Sequence, residues 1–340
     1  MSTVTVAAEP GAGRTRRSLD PGVVGGLGRL FALVVLMAIM SFVSPVFLGV
    51  RNLSTILTNA CVMIILGVGE TIAIVTRGAD LSIGSVLTIT SVVAAIMVKA
   101  GVFYGWAILA ALAFGLALGL LNGFMIAVVG LPSFVSTYGL LWALFGFAYL
   151  ILNGYVIYGF DPAFRFVGNG QLFGIVPMPI VVMLVVVAAG VFVMRKTTLG
   201  RKFYAVGANP DVAKMSGVNV SRTTIVAFGI SGLLAAVAGI VQVARINACQ
   251  ADIGQPYLLP TLATVAMGGT SFAGGQGGVV GTVIGALIMT VVQNAMNLLG
   301  VPALWREAII GALIIVTVLT DISLRKRLTT VRTKGAGQVA

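Results

Sequence analysis

Histidine is absent from these 340 residues, cysteine occurs only twice, at Cys61 and Cys249, and charged residues make up only 9% of the chain. The first absence excludes imidazole metal ligands and imidazole general bases, and two isolated thiols exclude a cysteine cluster. Cys61 lies inside an apolar run, so both thiols are expected to serve as small packing residues. No Gly-Lys pair occurs anywhere, which excludes a P-loop of the form G-x-x-x-x-G-K-[ST] and with it an ATP site of that kind within the chain. No residue set has the makings of a hydrolytic or redox centre, so no catalytic residue, bound cofactor or metal site is assigned.

Apolar side chains take the place of what is missing. Hydrophobic residues account for 59% of the chain and the mean hydropathy is +1.09, against about a quarter charged in an ordinary soluble domain. This is the composition of an all-α polytopic membrane protein. A spanning helix needs about 20 apolar residues to cross a core of about 30 Å, which leaves room for about eight to eleven spans. The net charge of +12 falls mainly at Arg14–Arg29, Arg195–Arg222 and Arg325–Lys334, beside apolar runs. These clusters read as cytoplasmic anchors under the positive-inside rule, not as a nucleic-acid surface.

Residues 1–27 are small, polar and glycine-rich and read as a flexible cytoplasmic tail, followed by a transmembrane domain over 28–322 and a basic cytoplasmic tail over 323–340. Spans are expected near Leu30–Val50, Leu53–Thr76, Ile83–Val98, Tyr104–Val129, Ser133–Leu152, Ile175–Met194, Thr224–Ala244, Val279–Leu299 and Leu304–Thr320, with Asn153–Gly174 as a polar outer loop. Leu258–Thr270 is too short for an upright span and runs into a glycine cluster, so one short or broken segment is expected near 258–278. Counting it gives about ten transmembrane helices with both termini cytoplasmic. Gly115, Gly119 and Gly123 recur every fourth residue, as do Gly277, Gly281 and Gly285; such stripes let helices approach closely.

Between Leu81 and Met194 only Lys99, Asp161 and Arg165 are charged, and then Arg195, Lys196, Arg201, Lys202, Asp211, Lys214 and Arg222 arrive together. This stretch, 195–222, cannot lie in hydrocarbon. Within it Asn209 suits an N-cap, Pro210 the first helical position, Asp211 the positive dipole end and Gly217 the left-handed residue after the last turn. A short capped helix in a basic loop fits a docking piece for another protein. Glu70 is the one carboxylate deep in a span, where burial costs about 2.5–3.5 kcal/mol unless a partner or cavity receives it. It leaves open an ion-coupled secondary carrier.

Several ordered motifs, spread over nearly the full length, make the chain similar to the permease subunits of bacterial monosaccharide ABC importers of the ribose, xylose, arabinose and galactose type. Thr76-Arg77-Gly78-Ala79-Asp80-Leu81-Ser82-Ile83-Gly84 resembles the family's T-G-G-I-D-L-S-V-G, with Arg77 and Ala79 in place of a Gly and an Ile. Leu121-Asn122-Gly123, Phe134 and Thr137 after a proline, Gly200-Arg201 through Asn209 to Val218, Gly268-Gly269-Thr270-Ser271, and the stretches 294–297 and 311–321 complete the match. The resemblance implies a non-catalytic subunit that works as a homodimer. Its partners would be an ABC ATP-binding subunit that uses ATP and Mg, a periplasmic or extracellular sugar-binding protein, and membrane lipid. It makes the helix at Asn209, Pro210, Asp211, Val212, Ala213, Met215, Ser216 and Gly217 a coupling helix against the ATPase, with Val212 and Met215 as apolar anchors. Glu70, Asn122, Thr137, Gln293, Asn294 and Asn297 are polar groups at membrane depth, available either to a hydroxylated solute along the pathway or to helix pairing. Branched-chain amino acid and other small-solute permeases share the superfamily and stay open as alternatives.

Overall fold

The computed structural model describes residues 21–302, 304–317 and 319; the polar start and the basic tail over 323–340 lie outside the described residues. Among the described residues the helices α1–α12 are numbered in chain order with four two-residue strands, β1–β4. Seven of the helices are long and apolar enough to cross a membrane: α1 (Pro21–Val43), α2 (Val50–Val75), α4 (Tyr104–Ala127), α5 (Ser133–Leu152), α7 (Met178–Lys196), α10 (Val220–Ile246) and α12 (Val279–Leu298). The shorter α3 (Ile83–Lys99), the ten-residue α11 (Leu258–Met267) and a last helix over 304–317 complete the set of apolar helices. The short segment is thus a half-length helix followed by the irregular 268–278 loop, as its length demanded.

The first helix and the outer loop depart most from the sequence expectation. The first helix begins at Pro21, inside the stretch expected as a tail, and ends at Val43 instead of Val50. Proline suits an opening turn, and Ser44 precedes Pro45, a position that disfavours helical backbone. The outer loop over 153–174 also holds a helix, α6 (Pro162–Asn169), capped by Asp161, whose carboxylate accepts from the Ala163 N–H at 3.0 Å.

α2 is the axis of the bundle, packed by α7, α10, α11 and α12. The share of its apolar window that is buried is 89%, against 11% for α1, which lies at the periphery against α12. The largest contact is α4 on α10. It follows from the expected glycine stripe: Gly115, Gly119 and Gly123 lie against backbone atoms of Gly232, Phe228 and Ile225, so the two helices meet backbone to backbone. Gly281 and Gly285 likewise seat α12 on the end of α11, at Gly268 and Thr264.

The two ends of the bundle differ in chemistry. At one end, α7 passes directly into α8 (Thr198–Ala208) and α9 (Pro210–Met215), which lead into α10. At the other, β1 (Ile157–Tyr158) pairs antiparallel with β4 (Ala248–Cys249), and β2 (Gln171–Leu172) with β3 (Val176–Pro177). Two cations, Lys99 and Arg245, sit at this strand end. Lys99 Nζ donates to the Gly159 carbonyl at 2.6 Å and lies 5.8 Å from the Phe160 ring centre, while Arg245 Nη1 donates to Asn59 Oδ1 at 2.6 Å.

Candidate functional site

Two constellations stand out: a polar cluster in the bundle interior and a junction at the α8–α9 end. The interior cluster is built on the loop between α2 and α3. Asp80 is 1% exposed; its Oδ1 accepts from the Ser82 N–H at 3.0 Å and the Ser82 hydroxyl at 2.6 Å, and its Oδ2 from the Ser231 hydroxyl of α10 at 2.9 Å. Glu70, fully buried on α2, accepts the Asp80 N–H through Oε1 at 3.0 Å, while Oε2 has no protein partner. Asn122 of α4 donates to Ser82 Oγ at 2.8 Å and accepts from Ser136 of α5 at 3.0 Å. Thr137 of α5 donates to the Ser133 carbonyl at 2.8 Å and lies 3.4 Å from the Ala79 carbonyl.

Of the six polar residues singled out along the spans, Glu70, Asn122 and Thr137 therefore meet around one loop. Asn294 lies elsewhere, at the start of α2: its amide and that of Asn52 exchange hydrogen bonds of 2.8 and 3.1 Å. Gln293 is half-buried and Asn297 exposed on α12. Asp80, Ser82, Ser136 and Ser231 complete the interior cluster and were not singled out. The Asp-x-Ser spacing at 80–82 is the local signal for the first two, since an Asp side chain readily accepts the N–H two residues on. Ser136 and Ser231 leave no such trace.

The α8–α9 end is capped as its residues require. Asn209 Oδ1 accepts the N–H groups of Asp211 at 3.0 Å and Val212 at 3.2 Å, with Pro210 in the first turn. Gly217 follows with φ of 80°, and its N–H bonds the Lys214 carbonyl while that of Val218 reaches Ala213, the 5→2 and 6→1 pair of a Schellman end. Ala213 turns inward at 3% exposure; Val212 and Met215, one turn apart, point outward at 57% and 88%. Two apolar side chains are thus exposed side by side on an otherwise polar, basic end. α8 was not expected as a helix. It is short and amphipathic, burying Phe203, Val206 and Gly207 while Arg201 and Lys202 face out, and Thr197 caps it by accepting the Gly200 N–H at 3.2 Å.

α8 is fastened to the rest of the bundle at its last turn. Gly207 lies so close to the Val75 carbonyl and the Gly275 N–H that no Cβ fits there. Tyr204 donates to the Gly277 carbonyl at 2.8 Å; burial pushes its phenol above the ordinary tyrosine range against the opposing pull of Arg195, which keeps it a donor. Arg77 occupies the position after the end of α2 with φ of 67°, where its N–H bonds Ile74 and that of Gly78 bonds Ala73. A left-handed residue other than glycine costs about 1–2 kcal/mol. Three hydrogen bonds oppose that cost: Arg77 Nε donates to the carbonyls of Gly207 at 2.7 Å and Ala273 at 3.1 Å, and Nη2 to that of Ala208 at 2.8 Å.

The family described as "Branched-chain amino acid transport system / permease component" matches residues 52–318. The ribose import permease protein of Escherichia coli strain K12 is 40% identical over 296 residues, covering 86% of this chain and 92% of that protein. The galactose/methyl galactoside import permease protein of the same strain is 35% identical over 312 residues, covering 86% and 93%, and the ribose import permease protein of Bacillus subtilis strain 168 is 33% identical over 302 residues, covering 88% and 94%. No solved structure matches the chain. A match across most of the length, on a bundle of apolar spans with an interior polar cluster, places the chain in the branched-chain amino acid transport system permease component family: it is a multi-pass ABC transporter permease subunit.

Proposed function

We propose that this subunit forms the pathway for a monosaccharide in an ATP-driven importer of the bacterial inner membrane, and that it takes its power stroke through α9. The observation that carries the coupling role is α9 itself: a helix capped at both ends, held by Ala213 and offering Val212 and Met215 outward. An exposed apolar pair on rigid caps suits a groove on an ATP-binding subunit, which would bind the ATP and Mg. Beside it a hollow of about 580 Å³, lined by Pro210, Asp211, Lys214 and Val218 among others, adds shape to the same face. The basic residues of 195–222 favour the cytoplasm for this end, with both termini on the same side and a sugar-binding protein docking at the strand end. A second copy of the chain completes the pathway. Gln293 and Asn297 offer amides to the solute, while Glu70, Asn122, Thr137 and Asn294 hold the walls through the bonds described.

Sugar is the favoured cargo because curated relatives matched across most of their length are named for ribose and galactose. The family's own description supports a second reading, a branched-chain amino acid. Screening the cognate binding protein against pentoses, hexoses, leucine and valine separates the two; tight binding of an amino acid and of no sugar overturns the first. For coupling, Val212→Asp with Met215→Asp is expected to abolish co-purification of the ATPase in detergent and solute uptake in cells. Wild-type recovery of the ATPase by the double variant overturns the role of α9. Uptake by the chain alone in proteoliposomes, driven by an ion gradient without ATP, would instead make Glu70 the centre of a secondary carrier.

A further inference from the structure

Arg77 stands where three separate parts of the chain converge. Its backbone closes the end of α2, three residues ahead of Asp80 and the interior cluster. Its guanidinium grips the last two carbonyls of α8, at Gly207 and Ala208, immediately before the Asn209 cap of α9. The same Nε also reaches Ala273 in the 268–278 loop that joins α11 to α12. The loop is held in turn by the Gly275 N–H on the Val75 carbonyl at 2.9 Å. A planar guanidinium binds several carbonyl oxygens in fixed directions, and the free carbonyls at a helix C-terminus carry the negative end of its dipole. The contact is therefore rigid and directional, unlike the apolar packing around it. Glycine, which the family motif carries at this position, would adopt the same left-handed backbone but has no side chain to reach either partner.

We propose that Arg77 is a positioning residue of the transport cycle, a clasp that carries displacement of α8–α9 both to the end of α2 and to the 268–278 loop. When α9 is pulled, the Gly207 and Ala208 carbonyls move with it. Through Arg77 the α2–α3 loop bearing Asp80 and the linker between α11 and α12 move together, so both walls shift in one step. The inference rests on the coupling role of α9.

Amide hydrogen exchange of the full-length permease in detergent, with and without its ATPase subunit, tests the two separately. Binding of the ATPase is expected to slow exchange directly at 210–216 and to change it at a distance over 273–277. Arg77→Gly is expected to keep the thermal midpoint and the direct protection at 210–216 while the change over 273–277 falls at least fivefold. Arg77→Lys, with one donor group in place of the fork, should fall between. Absence of protection at 210–216 in the wild type overturns the coupling reading and the clasp with it. Protection at 210–216 with the distant change intact in Arg77→Gly, or with no distant change in the wild type, overturns the clasp alone. A midpoint in Arg77→Gly that falls together with faster exchange across the whole bundle also overturns it, since Arg77 would then be a structural residue.

Discussion

Asp80 accepts three hydrogen bonds inside an apolar bundle, and no other side chain in the interior cluster accepts as many. Replacing it with alanine leaves the Ser82 N–H, the Ser82 hydroxyl and the Ser231 hydroxyl without their acceptor. Each buried donor so stranded costs about 1–3 kcal/mol, so Asp80→Ala is expected to lose about 3 kcal/mol or more. Asp80→Asn keeps an oxygen for Ser82 and should lose about 1 kcal/mol. Thermal unfolding in detergent distinguishes them; equal midpoints for Asp80→Ala and the wild type would remove Asp80 from the framework. Glu70 is legible in the sequence as a costly group needing a partner, whereas Asp80, near Arg77 at the end of an apolar run, reads as a boundary residue and proves to be buried. The partners of both carboxylates are not legible: Ser231 lies 151 residues from Asp80, and a lone serine in an apolar helix looks the same whether bonded or idle.

Among the elements, α4 and α10 show how far a periodic signal reaches. Gly115, Gly119 and Gly123 announce that α4 approaches something closely, and the structure names α10 as that neighbour. A side chain at Gly119 must displace the Phe228 carbonyl and the Gly229 Cα, so Gly119→Leu is expected to cost about 3 kcal/mol or more, above the usual overpacking range of about 1–3. Gly146→Leu on α5, where nothing lies within 4 Å, should be neutral. Matched thermal midpoints for the two variants would contradict the backbone-to-backbone seam. α9 was readable in nearly every detail, because caps and turns are set by residues within a few positions of one another. α8 was not, since eleven amphipathic residues beside basic ones have neither the length of a span nor a cap as distinctive as Asn-Pro-Asp.

For the whole molecule the question is which end faces which compartment. Tyr158 at the strand end and Met215 on α9 are 72% and 88% exposed, and serve as reporters when replaced by cysteine. Cys61 and Cys249 are both fully buried, and burial pushes the Cys249 thiol up to about 12, so the native background is expected to stay unlabelled at neutral pH. With a membrane-impermeant maleimide, Tyr158→Cys should react in intact spheroplasts and Met215→Cys only in inverted vesicles. The reverse pattern would turn the proposed orientation over.

The division between sequence and tertiary structure follows from the range of the forces involved. Membrane class, the number of apolar helices, the broken segment after Leu258 and the capped α9 were determined by the sequence alone, because each depends on the local length of an apolar run or on neighbours within one turn. Which apolar helix sits at the centre was decided only in three dimensions. α1 is the more hydropathic of the two, 2.2 against 1.8, yet α2 is the buried axis, since lipid and protein interior accept the same side chains. The grip of Arg77 on carbonyls 130 and 196 residues away belongs to the same class. Backbone oxygens carry no sequence signature, so a side chain that seeks them is invisible until the fold brings them within reach.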